Sequence, residues 1–457
     1  MTERELGNAS AESMSVSERL GTPVFSDDDN APNGSAYWNS DAEVFRYKDS
    51  DGTVFDWAGE PVEDFDELDS DVAIAPDGDD SSGDGSYDDP YFTLEHAAEQ
   101  ASAGERVVCR GGTYVYTGRQ NLAGGVDNGT SSDPIIVRPY ATEQPVFDFD
   151  TAGELTHGIQ LYGLSWWEFH DVEIVNVDGS GSDGKSFRTR HGRNILLDGI
   201  EIRDGYGDGF SLDNTTDVTI THCLSHQNQG YDGADGVAIR ESSSGTVIEH
   251  SEFHYNGDDG IDLFFAEDPV TMRYCAFSNN TTFDVGSAGA IKLGSEENDD
   301  GGGHTVHHCA FWDNGHHAIT FNRANNGCDI YNCVAYNSDG SDFHLNDSEA
   351  YLTDSDDAHV LRNCQSVTND VAVDDSGTDV SHCTFDGSNN TVISQSDQDI
   401  RSLDENDFAM WGEPGDFLRL GPNSDCMDAG ADVGLEFEGD APDISGYECG
   451  HKDHDPI

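Results

Sequence analysis

The chain has 457 residues and a formal charge of −70, with 91 Asp and Glu against 21 Lys and Arg and a pI near 4.1. That balance excludes the basic footprint a nucleic-acid partner needs, and no run of about 18 apolar residues is present to span a membrane as a helix. Self-repulsion on this scale destabilises a compact state in dilute buffer and is screened in molar salt, where the Debye length is about 3 Å, so the composition reads as that of an extreme halophile with a solvated acidic surface.

In chain order, residues 1–70 read as an acidic N-terminal extension. Its first segment, "MTERELGNASAESMSVSERLG", has neither an apolar core nor a twin-arginine pair, so no export signal is visible. Within the extension, "AEVFRYKDSDGTVFDWAG" alternates aromatic and polar residues around Asp51-Gly52 and predicts a β-hairpin. A short strand at 72–74 and a Gly/Asp-rich loop precede a helix predicted over 92–103. That helix carries Leu94, Ala97, Ala98 and Ala101 on one face, suited to capping an open sheet end. Residues 71–400 form the main domain, and 401–457 a C-terminal cap and tail.

A repeat dominates the main domain. One phase runs through Gly199, Cys223, Ser251, Cys275, Cys309 and Cys333, at intervals of 24, 28, 24, 34 and 24 residues. A second phase supplies apolar-x-apolar steps such as Phe210-Ser211-Leu212, Val237-Ala238-Ile239, Ile261-Asp262-Leu263 and Ile291-Lys292-Leu293. Short strands with Gly/Asn/Asp turns and no helical period, recurring at this length, predict an all-β right-handed parallel β-helix, a solenoid with rungs about 4.8 Å apart. Cysteine at one phase is then a small, free, inward-facing ladder residue rather than half of a disulfide.

Parallel stacking turns alignment into geometry. The middle residues of the steps form an outward column: Arg188, Ser211, Ala238, Asp262, Lys292, Thr320, His344. Three residues earlier runs Lys185, Asp208, Asp235, Asp259, Gly289, His317, and two later Arg190, Asp213, Arg240, Phe264, Gly294, Asn322. Asp235, Asp258, Asp259 and Asp262 thus converge on two adjacent rungs, with Lys292 one rung above Asp262. Oxygen ligands in that number suit Ca²⁺, which takes 6–8 of them. The chain has only four lysines, Lys48, Lys185, Lys292 and Lys452, so one placed against this acid stands out. A lysine near a divalent cation is pulled towards the neutral form, a usable general base. With Arg190 and Arg240 on the same face, and His317 and Asn322 as further substrate contacts, the set suits proton abstraction from C5 of a uronic acid.

These residues resemble the family 9 polysaccharide lyases, Ca²⁺-dependent pectate lyases built on a right-handed parallel β-helix. The resemblance rests on "GADGVAI", "NGDDGIDLF", "AGAIKLG" followed by "GGHTVHHCAFWDNG", and the closing "SDCMDAGADVG" and "GDAPDISGYE". It runs from about 72 to 448 and leaves the first 70 or so residues outside. It implies that Asp235, Asp258, Asp259 and Asp262 are calcium ligands, that Lys292 is the catalytic base, and that the partner is an anionic polyuronate such as pectate. A secreted monomer is the corresponding expectation. Two other readings stay open. An inverting β-helix glycoside hydrolase would use two of the aspartates as acid and base, about 6.5–9.5 Å apart. A non-catalytic carbohydrate-binding β-helix would leave Lys292 as a salt bridge to Asp262.

Overall fold

A computed structural model of the chain describes residues 71–150, 157–179, 184–230, 233–281 and 289–294, and shorter stretches between 301 and 447. It also describes the backbone of four short strands between 24 and 56; the rest of the acidic extension and the tail after 447 lie outside the described residues. Two units emerge, Met1–Asp69 and Ser70–Ile457. In the first, Val24–Phe25, Ser35–Asn39, Val44–Lys48 and Val54–Asp56 form one sheet, the last two pairing antiparallel as a hairpin does. No helix among the described residues is long and apolar enough to cross a membrane.

The second unit is the right-handed parallel β-helix. Among the described residues, three parallel sheets of 12, 10 and 10 strands make it up. Each coil gives one strand to each sheet: Lys185–Arg190, Arg193–Asp198 and Glu201–Arg203 make one coil. The first sheet visited in each coil carries the residues of interest. Its strands are labelled β1 (Lys185–Arg190), β2 (Asp208–Asp213), β3 (Val237–Glu241), β4 (Ile261–Ala266), β5 (Gly289–Lys292), β6 (His317–Thr320) and β7 (Phe343–Leu345).

Side-chain ladders explain why this sequence coils. Between the second and third strands each coil turns through one left-handed residue. Asp171, Gly199, His222, His250, Tyr274, His308, Asn332 and Asn363 occupy that corner, with φ from +46° to +67°. Glycine, Asn and Asp take this conformation at low cost; the rings there gain by stacking, His222 on His250 at 5.4 Å, His250 on Tyr274 at 4.9 Å and Tyr274 on His308 at 5.0 Å. The next residue points inward, which makes Cys223, Cys275, Cys309, Cys333, Cys364 and Cys383 a buried column of free thiols. Each thiol has a backbone carbonyl within reach, as Cys223 has Leu197 at 3.4 Å.

At the corner that closes the coil, an asparagine ladder satisfies buried backbone. Asn228 donates to Asn256 (3.0 Å), Asn256 to Asn280 (3.0 Å) and Asn280 to Asn314 (3.2 Å). Inside, Phe253, Phe277 and Phe311 stack at 5.2 and 5.0 Å.

The capping helix α1 covers only Leu94–Ala98, shorter than the span predicted. Thr93 caps its start, while the Gln100 amide reaches back three residues to Ala97 and Gly104 adopts φ +84°, so the coil ends early. Leu94, Ala97, Ala98 and Ala101 are buried, as the apolar face requires.

Two buried histidines should make the fold acid-sensitive. Nδ1 of His304 accepts the Val270 amide, and Nδ1 of His359 accepts the Cys328 amide, each at 3.0 Å. Burial pushes His304 down to about 4 and His359 down to about 3. The unfolded chain, with His near 6.5, therefore binds more protons than the fold between those values, and stability falls as pH falls through that window. Chemical denaturation should show full stability above about pH 6.5 and a loss at the acid limit of roughly 3 kcal/mol from His304 and roughly 5 kcal/mol from His359. His304→Gln, His359→Gln should flatten the slope; an unchanged slope would remove these side chains as the cause.

Candidate active site

The outward columns exist in register. Arg188 pairs Ser211, Ser211 pairs Ala238, Ala238 pairs Asp262, Asp262 pairs Lys292, Lys292 pairs Thr320 and Thr320 pairs His344. One predicted alignment fails. A β-bulge between β3 and β4 shifts the register, so that Arg240 faces Phe265 rather than Phe264.

An Asp-Gly step recurs on three successive rungs, Asp208-Gly209, Asp235-Gly236 and Asp259-Gly260. The glycine is required by close approach: a Cβ on Gly236 would lie 2.5 Å from the Gly260 carbonyl oxygen, and one on Gly260 2.7 Å from that of Ala290. Backbones that close stack the aspartates directly. The Asp259 amide donates to Asp235 Oδ1 at 3.0 Å, and the Gly289 amide to Asp259 Oδ1 at 2.5 Å.

Carboxylate oxygens of Asp235, Asp259 and Asp262 lie within 4.8 Å of one another. Asp235 and Asp259 are buried and Asp262 nearly so. Asp258 falls outside that trio, although its charge acts on both Asp235 and Asp259. Burial first, then mutual repulsion, pushes Asp235 and Asp259 well above the usual carboxylate range; burial also raises Asp262, against the pull of Lys292 and Arg240. A buried, all-oxygen donor set whose charges are this unfavourable together fits a hard divalent cation such as Ca²⁺.

Lys292 stands over the trio, its Nζ 3.3 Å from Asp259 and 3.7 Å from Asp262. Burial pulls this ammonium down, but the charges of Asp259, Asp262, Asp258 and Asp235 outweigh it and hold the lysine protonated while no cation offsets them. At the opposite end of the ladder Lys185 bonds Asp208 Oδ2 at 2.5 Å, and Arg240 reaches the same oxygen at 3.4 Å. Asp208 is fully buried, with Oδ1 lacking a hydrogen-bond partner among the described residues. Asp208 stands in the column of Asp235 and Asp259 but outside the runs of acid, and the repeated Asp-Gly step is the signal that marks it as part of the site.

The remaining predicted residues divide. Arg190 lies in the column of Arg240, through Asp213, with a buried Nε that has no hydrogen-bond partner among the described residues. Asp213 itself is held by Arg188 at 2.6 Å. His317 stacks on His344 at 4.1 Å and accepts the Ser341 amide at Nδ1. Burial, then the neighbouring His344 and His316, push it down to about 3, so it offers no positive charge at neutral pH. Asn322 turns at φ +38° and spends its amide on the Gly294 carbonyl at 2.7 Å.

Solved structures with this architecture include pectate lyase Pel9A, at a TM-score of 0.68 and 21% identity over 83% of this chain and 97% of that one. A rhamnogalacturonan lyase matches at 0.62 and 19% identity, over 77% and 97%. Both share the right-handed parallel β-helix of this chain. A family model described as Pel9A-like, right handed beta helix region, matches residues 72–355, and the chain belongs to that family. Among curated relatives, pectate lyase PEL9 of Emericella nidulans is 28% identical over 66% of this chain and 68% of its own. Pectate lyase L of Paenibacillus polymyxa is 25% identical over 75% and 80%.

Proposed function

We propose that the protein is a Ca²⁺-dependent lyase that cleaves a polyuronate, pectate first among them, by β-elimination with Lys292 as the base. The observation that carries this reading is Lys292 Nζ set 3.3 Å from Asp259 and 3.7 Å from Asp262, on the outer face of a chain that has only four lysines. The names of the relatives point the same way: both curated ones are pectate lyases.

Asp235, Asp259 and Asp262 would hold the cation, with Asp258 beside them. Bound there, Ca²⁺ supplies neutralisation of the uronate carboxylate, which acidifies the adjacent C5–H. Once the trio's charge is offset, the burial that already pulls Lys292 down is no longer opposed, and its amine can accept a proton. Lys292 Nζ takes the C5 proton, the C5–H electrons form the C4–C5 double bond, and the C4–O bond breaks with its electrons on the leaving oxygen. Arg240, set by Asp208 and Lys185, and Arg190 bind substrate carboxylates. Lys292 pulls Asp259 and Asp262 towards the ionised form against the burial that raises them, a counter-charge that an inverting hydrolase, which needs one carboxyl protonated, would not place there.

The test is ultraviolet absorbance from an unsaturated product when polygalacturonate meets the protein with Ca²⁺ in molar salt. New reducing ends without that absorbance would establish hydrolysis instead. The reading also places the enzyme outside the cell, where its polymer is, in a saline medium. Activity should fall by at least tenfold in dilute buffer at the same Ca²⁺, because −70 charges then repel both each other and the substrate. Full activity without added salt would end the halophile argument.

A further inference from the structure

The bulge in β4 breaks the in–out alternation of that strand. Ile261 and Leu263 point into the core and Asp262 out, so regular pleating would turn Phe265 inward. The extra residue instead leaves Phe264 and Phe265 both outside and restores alternation at buried Ala266. The Phe264 amide donates to Asp262 Oδ1 at 2.8 Å, so the bulge also orients a member of the carboxylate trio. Phe264 lies under Lys292, with its ring centroid 5.0 Å from Nζ, and meets Phe265 edge-on at 4.5 Å and 90°. Phe265 is left 38% exposed.

Among the described residues the exposed large apolar side chains are Val115, Tyr162, Tyr255, Phe265 and Leu403. Two of these five share one column of the site sheet. Tyr162 pairs Arg190, Arg190 pairs Asp213, Asp213 pairs Arg240 and Arg240 pairs Phe265. The column therefore reads aromatic, arginine, aspartate, arginine, aromatic. At about 4.8 Å per rung, its four steps span roughly 19 Å along the helix axis. Tyr162 is 45% exposed and packs edge-on to His191 at 5.3 Å.

The geometry points to a substrate strip along this column: Phe265 stacks on the apolar face of a uronate ring next to the cleavage point, Arg240 and Arg190 take carboxylates of successive sugars, and Tyr162 stacks on a ring at the far end. This rests on the polyuronate reading above and deepens it by giving the chain a direction and a length. Pyranose rings carry apolar faces as well as charge, and a ring-to-ring contact is not weakened by the salt that screens the arginines. Such a contact suits a protein whose overall charge opposes its ligand.

Steady-state kinetics on a size series of galacturonate oligomers, in Ca²⁺ and molar salt, tests the strip. Phe265→Ala should raise KM about tenfold on every oligomer that is cleaved. Phe265→Trp should restore it, and Phe265→Leu, which keeps apolar bulk without a π face, should not. Tyr162→Ala should raise KM about fivefold for the longer oligomers and leave the shortest unaffected. Both positions are exposed, and an unchanged melting temperature with Ca²⁺ shows that each variant is folded. If the wild type cleaves the oligomers but KM is within twofold for both alanine variants, the strip is wrong and the lyase reading stands. If Tyr162→Ala affects all lengths equally, the assigned direction is wrong. A wild type that neither binds nor cleaves any uronate oligomer overturns both.

Discussion

Lys292→Ala should lower kcat on polygalacturonate by about 10³-fold, within the 10²–10⁴ range of a positioned general base, while KM changes little. The residue is 8% exposed and its side chain touches the carboxylates and the Phe264 ring, so on the proposed mechanism its loss removes proton acceptance from the place where the site concentrates charge. Lys292→Arg should fail to rescue, because a guanidinium stays protonated. Calcium affinity should hold or rise in Lys292→Ala, since a cation that shares Asp259 and Asp262 has left. That expectation separates a base from a structural counter-ion: a mere salt bridge would leave kcat intact once Ca²⁺ is present. Product absorbance and calcium titration by calorimetry measure both, and a kcat within tenfold of wild type would return the base to another residue.

Removing calcium is the second large effect. A chelator should abolish product formation, and Ca²⁺ should restore it fully while Mg²⁺, which demands tighter octahedral geometry, should not. At a Ca²⁺ concentration a hundred times the dissociation constant, binding should add about 2.7 kcal/mol to stability, visible as a rise in melting temperature. Asp259→Asn should erase that rise and the activity together. Asp259 accepts the Gly289 amide, contacts Lys292 and belongs to the trio, so one substitution strikes the cation and the base at once. A melting temperature indifferent to calcium in the wild type would show that the trio is not a calcium site.

Much of this architecture is legible in the sequence. In a parallel β-helix every rung repeats the hydrogen-bonding phase of its neighbour, so residues aligned by a repeat of 24 to 34 positions stand above one another. That is why Asp262 over Lys292, and the Asp235–Asp259 stack, follow from spacing alone, and why the thiols could be assigned to the interior. The asparagine ladder and the stacked corner rings obey the same rule, but the sequence does not single them out, because polar residues at turns have many uses.

What spacing could not decide was anything that depends on a local slip or on burial. The bulge in β4 moves Phe265 into the arginine column by a single residue, and a pattern of period 2 carries no warning of that. Burial and packing against His344 make His317 a neutral, stacked ring. The partnership of Asp208 with Lys185 and Arg240, and the position of Asp258 outside the trio, are set by where side chains end. Backbone repetition places Cα atoms in register from sequence; the last few ångströms, where charge meets charge, are decided by rotamers and desolvation that only the packed molecule defines.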